Sequence, residues 1–278
     1  MIEKILVSVA GRGLCEEMLN MLTEIPSLKQ ASVTVLHVVP PQITAEEMSA
    51  KLEEGGHILA DAVKALKVEP SKITPRLKQG DPKIVVPQIA EEEDSDLIIM
   101  GSRGLKRLES ILQNSVSQYV FQLSSRPMLL VKDDTFIKQV RRVMVAINKS
   151  EPAQQSLDLA LSLVRDIPGG KLHLVHINPD RPKSGSSTED PILAEAAAKA
   201  KQQGVACSCH NSIGQAGVEI CRLAEELNID LLILGSPDRR PSIAKALVDL
   251  DRLLGNSLSD YVRVYANCPV LLTRTTVS

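Results

Sequence analysis

The sequence predicts an α/β protein built from two doubly wound, open parallel sheets of five strands each, one copy following the other in a tandem duplication. Three observations carry that prediction. Short apolar runs rich in Val, Ile and Leu alternate with amphipathic stretches along the whole chain, the pattern of parallel strands buried on both faces and joined by helices. The runs return in a second copy: Ile5-Leu-Val-Ser-Val9 as Val143-Met-Val-Ala-Ile147, and Val33-Thr-Val-Leu-His-Val-Val39 as Lys171-Leu-His-Leu-Val-His-Ile177. Spacings repeat as well: Gly80 and Gly101 stand 21 positions apart, and so do Gly214 and Gly235, which marks a duplicated domain.

Taken in order, each copy opens on its strand at 5–9 or 143–147, and the second strand follows at 33–39 or 171–177. Ala45 to Leu66 and Gly217 to Leu227 have the apolar spacing of helices. Asp81 is the expected cap of a helix beginning at Pro82, and the acidic run Glu91 to Asp94 reads as a solvated helix end. Fourth strands are Asp96-Leu-Ile-Ile-Met100 and Asp230-Leu-Leu-Ile-Leu-Gly-Ser236. Asn114-Ser-Val-Ser117 opens a helix through about Leu123, and Asn256-Ser-Leu-Ser259 is its counterpart. The copies close on Arg126-Pro-Met-Leu-Leu-Val131 and Cys268-Pro-Val-Leu-Leu-Thr273. Polar residues 132–140 read as a linker, so the expected domains are 1–133 and 139–278. Between fourth strand and Asn-Ser pair the second copy carries eight extra residues.

Composition excludes several classes. A chain of 278 residues is comfortable for two domains, and 44% apolar with 24% charged residues is ordinary for a globular protein. Net charge −2, 2% aromatics and no Trp argue against nucleic acid. No apolar run approaches the roughly 18 residues of a membrane span, and Met1 to Val7 reads as a strand rather than a signal peptide. Five cysteines without framework spacing point to a reducing compartment, and the expected location is cytoplasmic.

Ligands of such sheets bind outside the carboxyl ends of the strands, at the point where strand order reverses. The loop after strand one, Ala10-Gly-Arg-Gly-Leu-Cys-Glu16, lacks the third small residue of a dinucleotide fingerprint, and no phosphate-binding G-x-x-x-x-G-K-[ST] occurs. The loop after strand four is better suited to a phosphate. Gly101 and Gly104 let backbone N–H groups approach closely, Arg103 adds positive charge, and the helix opened by Asn114 and Ser115 offers unpaired N–H groups. The same features also serve simply to end a strand and cap a helix.

The motifs KILVSV, LHVV, QGDP, DLIIMGSRG, NSVSQYV and RPMLLV in the first half, with RVMVAIN, LVHINP, DLLILGS, NSLSDYV and CPVLLT in the second, together resemble a tandem universal stress protein. The resemblance covers nearly all of both halves. It implies the adenine-nucleotide-binding fold with strand order 3-2-1-4-5 and a site for ATP or a related adenine nucleotide, with Mg2+ carried on the phosphates. In the first domain it implies contacts from Ala10 and Val38 to base and ribose. Met100, Gly101 and Gly104 with Asn114, Ser115, Val116 and Ser117 form the phosphate cradle, to which Arg103 is added from its charge. In the second domain the corresponding positions are Asn148, Ile177, Gly235, Asn256, Ser257, Leu258 and Ser259.

Both halves depart from the family pattern. Asn114 stands where a Gly is expected, and Ala10 where an Asp near the ribose is expected. The second half has Asn148 at that Asp position and Asp238 at the place of Gly104, with Arg239 and Arg240 following. The expected function is a non-catalytic, nucleotide-binding stress-response module acting on protein partners. A nucleotide-free interaction module stands beside it, built as an internal pseudo-dimer or a homodimer, with Met128 to Val131 and Val270 to Thr273 as the pairing strands. A slow ATPase or self-phosphorylating protein is a third reading, with no base in evidence. Cys207-Ser-Cys-His210 falls short of paired zinc-site spacing and reads as a strand with both thiols on one buried face. His37 and His176 read as satisfied strand residues, and 181–190 as a loop.

Overall fold

A computed structural model of the chain describes residues 2–102, 115–132, 139–178, 190–236 and 257–274. They divide into two compact units, one holding the described residues through Lys132 and the other those from 139 onward. The first contains β1 (Lys4–Ser8), α1 (Leu14–Leu22), β2 (Ser32–Val39), α2 (Ala45–Ala65), β3 (Ile73–Gln79), α3 (Pro82–Glu92), β4 (Leu97–Ser102), α4 (Val116–Leu123) and β5 (Met128–Lys132). Parallel ladders join its strands in the order β3-β2-β1-β4-β5.

The second unit repeats the plan with β6 (Arg142–Ala146), α5 (Glu151–Arg165), β7 (Lys171–Asn178), α6 (Pro191–Gln202), β8 (Cys207–Ile213), α7 (Ala216–Glu226), β9 (Leu231–Ser236), α8 (Leu258–Tyr265) and β10 (Val270–Arg274). Its ladders run β8-β7-β6-β9-β10, again parallel. Strand order therefore reverses between β1 and β4 in one unit and between β6 and β9 in the other.

Burial explains why these strands are written as unbroken apolar runs. Ile5, Leu6 and Val7 of β1 and Leu97, Ile98 and Ile99 of β4 are all buried, as helices on both faces require. The outer strand β3 is mostly exposed and carries Pro75, Arg76 and Lys78, which blunt an open edge against foreign strands.

Each Asp that precedes a fourth strand has a structural task. Asp96 Oδ2 accepts the N–H groups of Glu3 and Lys4 at 2.7 and 2.9 Å. Asp230 Oδ2 accepts those of Arg141 and Arg142 at 3.0 and 2.7 Å, and its Oδ1 takes the Arg142 guanidinium at 3.0 Å. The duplicated "DL" thus pins the start of the first strand to the start of the fourth.

Helix starts follow the capping residues. Thr44 closes a capping box with Glu47 ahead of α2. Asp81 accepts the Lys83 N–H at 2.9 Å, and Asp190 those of Ile192 and Leu193. One expectation needs correction: Cys207 and Cys209 share a face of β8 but are half-buried, because β8 is the outer strand of its unit's order and only its inner side is covered. The acidic end of α3 is solvated as expected, with Glu91 and Asp94 pairing to Arg126 at 3.0 Å each.

Candidate functional site

At the switch point of the first unit a cavity of about 290 Å³ opens between the ends of β1 and β4, near the lower end of small-ligand sites. Ser8, Val9 and Ala10 form the β1 side, and His37 with Val38 the β2 side. Met100, Gly101 and Ser102 line it from β4, while Ser115, Val116 and Ser117 line it from the start of α4. The floor is apolar, and the rim carries hydroxyls and a helix N-terminus, an arrangement suited to a flat apolar group bearing an anionic tail.

Local chemistry accounts for the opening. Gly11 and Gly13 take left-handed φ values of 72° and 75°, which swing the chain outward and delay α1 until Leu14. Among the described residues nothing crowds Gly101: a Cβ placed on it would meet none of their atoms nearer than Cys15 Sγ, at 3.9 Å. Ser115 caps α4, accepting the Gln118 N–H at 3.4 Å and lying 3.3 Å from Ser117 Oγ. His37 donates its Nδ1–H to the Val9 carbonyl at 2.9 Å, so it is a satisfied strand residue with its ring on the cavity wall.

Two ionisable groups on the α1 wall were not foreseen. Burial pushes the Cys15 thiol up to about 12. Glu16 is 4% exposed. Burial raises its carboxyl above the usual range, reinforced by Glu17 and opposed by the N–H groups of Glu16 and Cys15. Charged residues in a helix's first turn ordinarily face water, which is why sequence gave no warning of this one.

The second unit is built differently at the same place. No residue of Asn148 to Pro152 has a positive φ, Ser150 is the N-cap, and α5 starts at Glu151 with Pro152 in its first turn. The helix begins three residues past Asn148, not four as after Ala10, and its first turn settles onto β9. A Cβ on Gly235 would stand 2.7 Å from Ala153 N and closer still to the Pro152 carbonyl. The Oδ1 of Asn148 accepts the Ser150 N–H at 2.8 Å. Ser257 caps α8 and bonds to Asp260 at 2.6 Å, while Ser259 lies 3.4 Å from Ser236. Local partners thus engage the polar groups that the sequence offers to a ligand. Ile177 is half-buried near the end of β7, and Leu258 opens α8.

Of the residues expected to form the first site, Ala10, Val38, Met100, Gly101, Ser115, Val116 and Ser117 come together on one cavity. Arg103, Gly104, Asn114 and Asn256 lie outside the described residues, as do Asp238, Arg239 and Arg240. His176 donates Nδ1–H to Asp190 Oδ2 at 2.7 Å. Asp190 is 2% exposed. Its burial pushes the carboxyl up, but the His176 bond and the Leu193 and Ile192 N–H groups outweigh that and hold it below the ordinary value. Among the described residues no three His, Cys, Asp or Glu side chains converge as metal ligands, and no helix is long and apolar enough to cross a membrane.

A doubly wound unit written twice, with a switch-point cavity in the first copy, defines the class, and comparison with known proteins gives the family. The Universal stress protein family model matches residues 1–132 and 139–274. The chain belongs to that family, with two universal stress protein domains in one polypeptide. Universal stress protein YxiE of Bacillus subtilis is 27% identical over 148 residues, spanning 48% of this chain and 100% of that protein. Universal stress protein MJ0577 of Methanocaldococcus jannaschii is 37% identical over 87 residues, spanning 31% of this chain and 54% of that protein. A crystal structure of a universal stress protein from Archaeoglobus fulgidus aligns with a TM-score of 0.76 at 22% identity, covering 99% of this chain and 97% of that one. That likeness is one of fold.

Proposed function

We propose that the first domain, residues 1–133, binds ATP or a related adenine nucleotide as a non-catalytic module of a cytoplasmic stress response. The observation that carries this reading is the contrast between the two switch points. Among the described residues nothing crowds Gly101, and Ser115 and Ser117 line the same cavity, whereas above Gly235 stands the backbone of Pro152. The apolar wall of Val38 and Met100 suits an adenine ring. The uncrowded Gly101 and the Ser115 and Ser117 N–H and hydroxyl groups at the start of α4 suit a phosphate. Mg2+ would arrive on the phosphates and neutralise part of their charge, with the Ser102, Ser115 and Ser117 hydroxyls within the same cavity. Ala10 supplies no carboxylate to the ribose, so affinity rests on the base wall and the cradle.

For the second domain, residues 139–278, the closure of Pro152 over Gly235 favours the other reading, a nucleotide-free interaction module. Its partners would be proteins that respond to the nucleotide state of the first domain.

Gly101→Val tests this directly. The β-branched side chain suits a strand, and its Cβ would meet no atom of the described residues nearer than 3.9 Å, so the variant should fold. Mg-ATP should raise the melting temperature of the unmodified chain in proportion to the logarithm of its concentration and leave that of Gly101→Val unchanged. Equal stabilisation of both proteins would remove the cavity from the account.

A further inference from the structure

Glu16 is the third residue of α1 and lines the same cavity as Gly101, Ser115 and Ser117. At 4% exposure it is buried. The N–H groups of Cys15 and of Glu16 itself favour its ionised form, and these groups of the helix's first turn would otherwise be offered to an anion. The cavity therefore contains a carboxyl of its own, in the same lining as the proposed phosphate cradle.

We propose that Glu16 couples nucleotide binding to proton uptake: the carboxyl is ionised in the empty cavity and takes a proton when an anionic nucleotide enters. This rests on the nucleotide reading above. Two unit charges ~5 Å apart at an effective dielectric of about 20 repel enough to weaken binding roughly a hundredfold, and a proton on Glu16 removes that repulsion. Among the described residues the charged groups around Glu16 are of both signs. Arg12 and Glu17 flank it on its own segment, with the un-ionised Cys15 between, and His37 faces the cavity from β2. The described parts of the β4 and α4 walls, Met100 to Ser102 and Ser115 to Ser117, carry no charge, and α3 lines the cavity with Pro82. The α2 helix reaches the Gly11 loop through Ile58 and carries His57 and Asp61 beside it. In β5 the ionisable residue is Lys132, buried at the strand's end.

The sign follows from linkage. If the complex holds more protons than the free protein, affinity falls as pH rises between the carboxyl's value in the free cavity and its higher value in the complex, by up to about tenfold per pH unit. Below that window Glu16 is already neutral and affinity is flat. Acidification then fills the site without any change in nucleotide concentration.

The test is calorimetric titration of Mg-ATP from pH 5.5 to 8.5, in buffers of different ionisation enthalpy, with the full chain and the variants Glu16→Gln and Glu16→Asp. The unmodified chain should take up a larger fraction of a proton per nucleotide than Glu16→Gln. Glu16→Gln should bind at least about tenfold more tightly at pH 8, and Glu16→Asp should retain the uptake. Proton contributions of the nucleotide and of the unaltered side chains are common to all three proteins and cancel in the comparison. Equal proton counts in the unmodified chain and Glu16→Gln, or weaker binding by Glu16→Gln, would overturn the inference while leaving the nucleotide reading intact. No binding by any of the three would defeat the nucleotide reading itself, and this inference with it.

Discussion

Adding one methyl group at each switch-point glycine should have opposite consequences in the two domains. In Gly235→Ala the new Cβ would stand 2.7 Å from Ala153 N, and nearer to the Pro152 carbonyl. Carbon contacts relax at about 3.5–4.0 Å, so the first turn of α5 must withdraw from β9 by ~1 Å. The atoms in the way are backbone, and Pro152 in the first turn leaves that turn little freedom. Overpacking of this kind costs about 1–3 kcal/mol, or a fall in melting temperature on the order of 3–10 °C. In Gly101→Ala the nearest atom of the described residues is Cys15 Sγ at 3.9 Å, an ordinary contact. Replacing a strand glycine should then be neutral or stabilise by about 0.5–1 kcal/mol. Thermal unfolding followed by circular dichroism, side by side on the two variants, reads the difference. Equal melting temperatures would refute the reasoning, because they would mean that α5 does not rest on β9 and that the second switch point is as open as the first.

Other outcomes follow from the contacts described. Asp230→Ala leaves the Arg141 and Arg142 N–H groups without their carboxylate and should cost about 1–3 kcal/mol in urea unfolding. A loss below 0.5 kcal/mol would remove the strand-pinning role. Asp190 is held below the ordinary carboxyl value, so its contribution is full above the unfolded-state value of about 3.9 and is lost as pH falls through its folded-state value. The stability gap between the unmodified chain and Asp190→Asn should therefore narrow below about pH 4. A gap unchanged from pH 6 to pH 3 contradicts the pairing. Cys15, with its thiol near 12, presents on the order of one thiolate in ten thousand at pH 8. Native alkylation by iodoacetamide, read by mass spectrometry, should leave Cys15 unmodified after the half-buried Cys207 and Cys209 have begun to react.

Much of this architecture was legible in the residues. The apolar runs at 5–9 and 97–100 announce buried strands because helices cover both faces, and Asp81, Thr44 and Ser115 mark helix starts because side-chain acceptors next to an unpaired N–H have few other uses. The walls of the first cavity were legible for the same reason, since strand ends and helix caps converge at a switch point. What sequence did not disclose lies between elements. Gly11 and Gly13 read as a failed dinucleotide motif, yet their left-handed backbone delays α1 until Leu14. Ser150-Glu-Pro152 is a readable helix start, but its descent onto Gly235 depends on where the preceding strand releases the chain. Glu16 sits at a position that ordinarily faces water, and its burial is set by the packing of α1 against the cavity wall. Asn148 matched a ligand position by alignment, while in space its side-chain oxygen is turned to the Ser150 N–H.

The central claim is that a chain with two homologous domains holds one nucleotide, in the first. Calorimetric titration of Mg-ATP into the nucleotide-stripped full-length chain at neutral pH reads this as a stoichiometry. The account predicts one site per chain, absent in Gly101→Val and retained in Gly235→Ala. Two sites per chain would contradict the closure of the second domain by Pro152, and the absence of any heat or thermal stabilisation at millimolar Mg-ATP would contradict the nucleotide reading of the first.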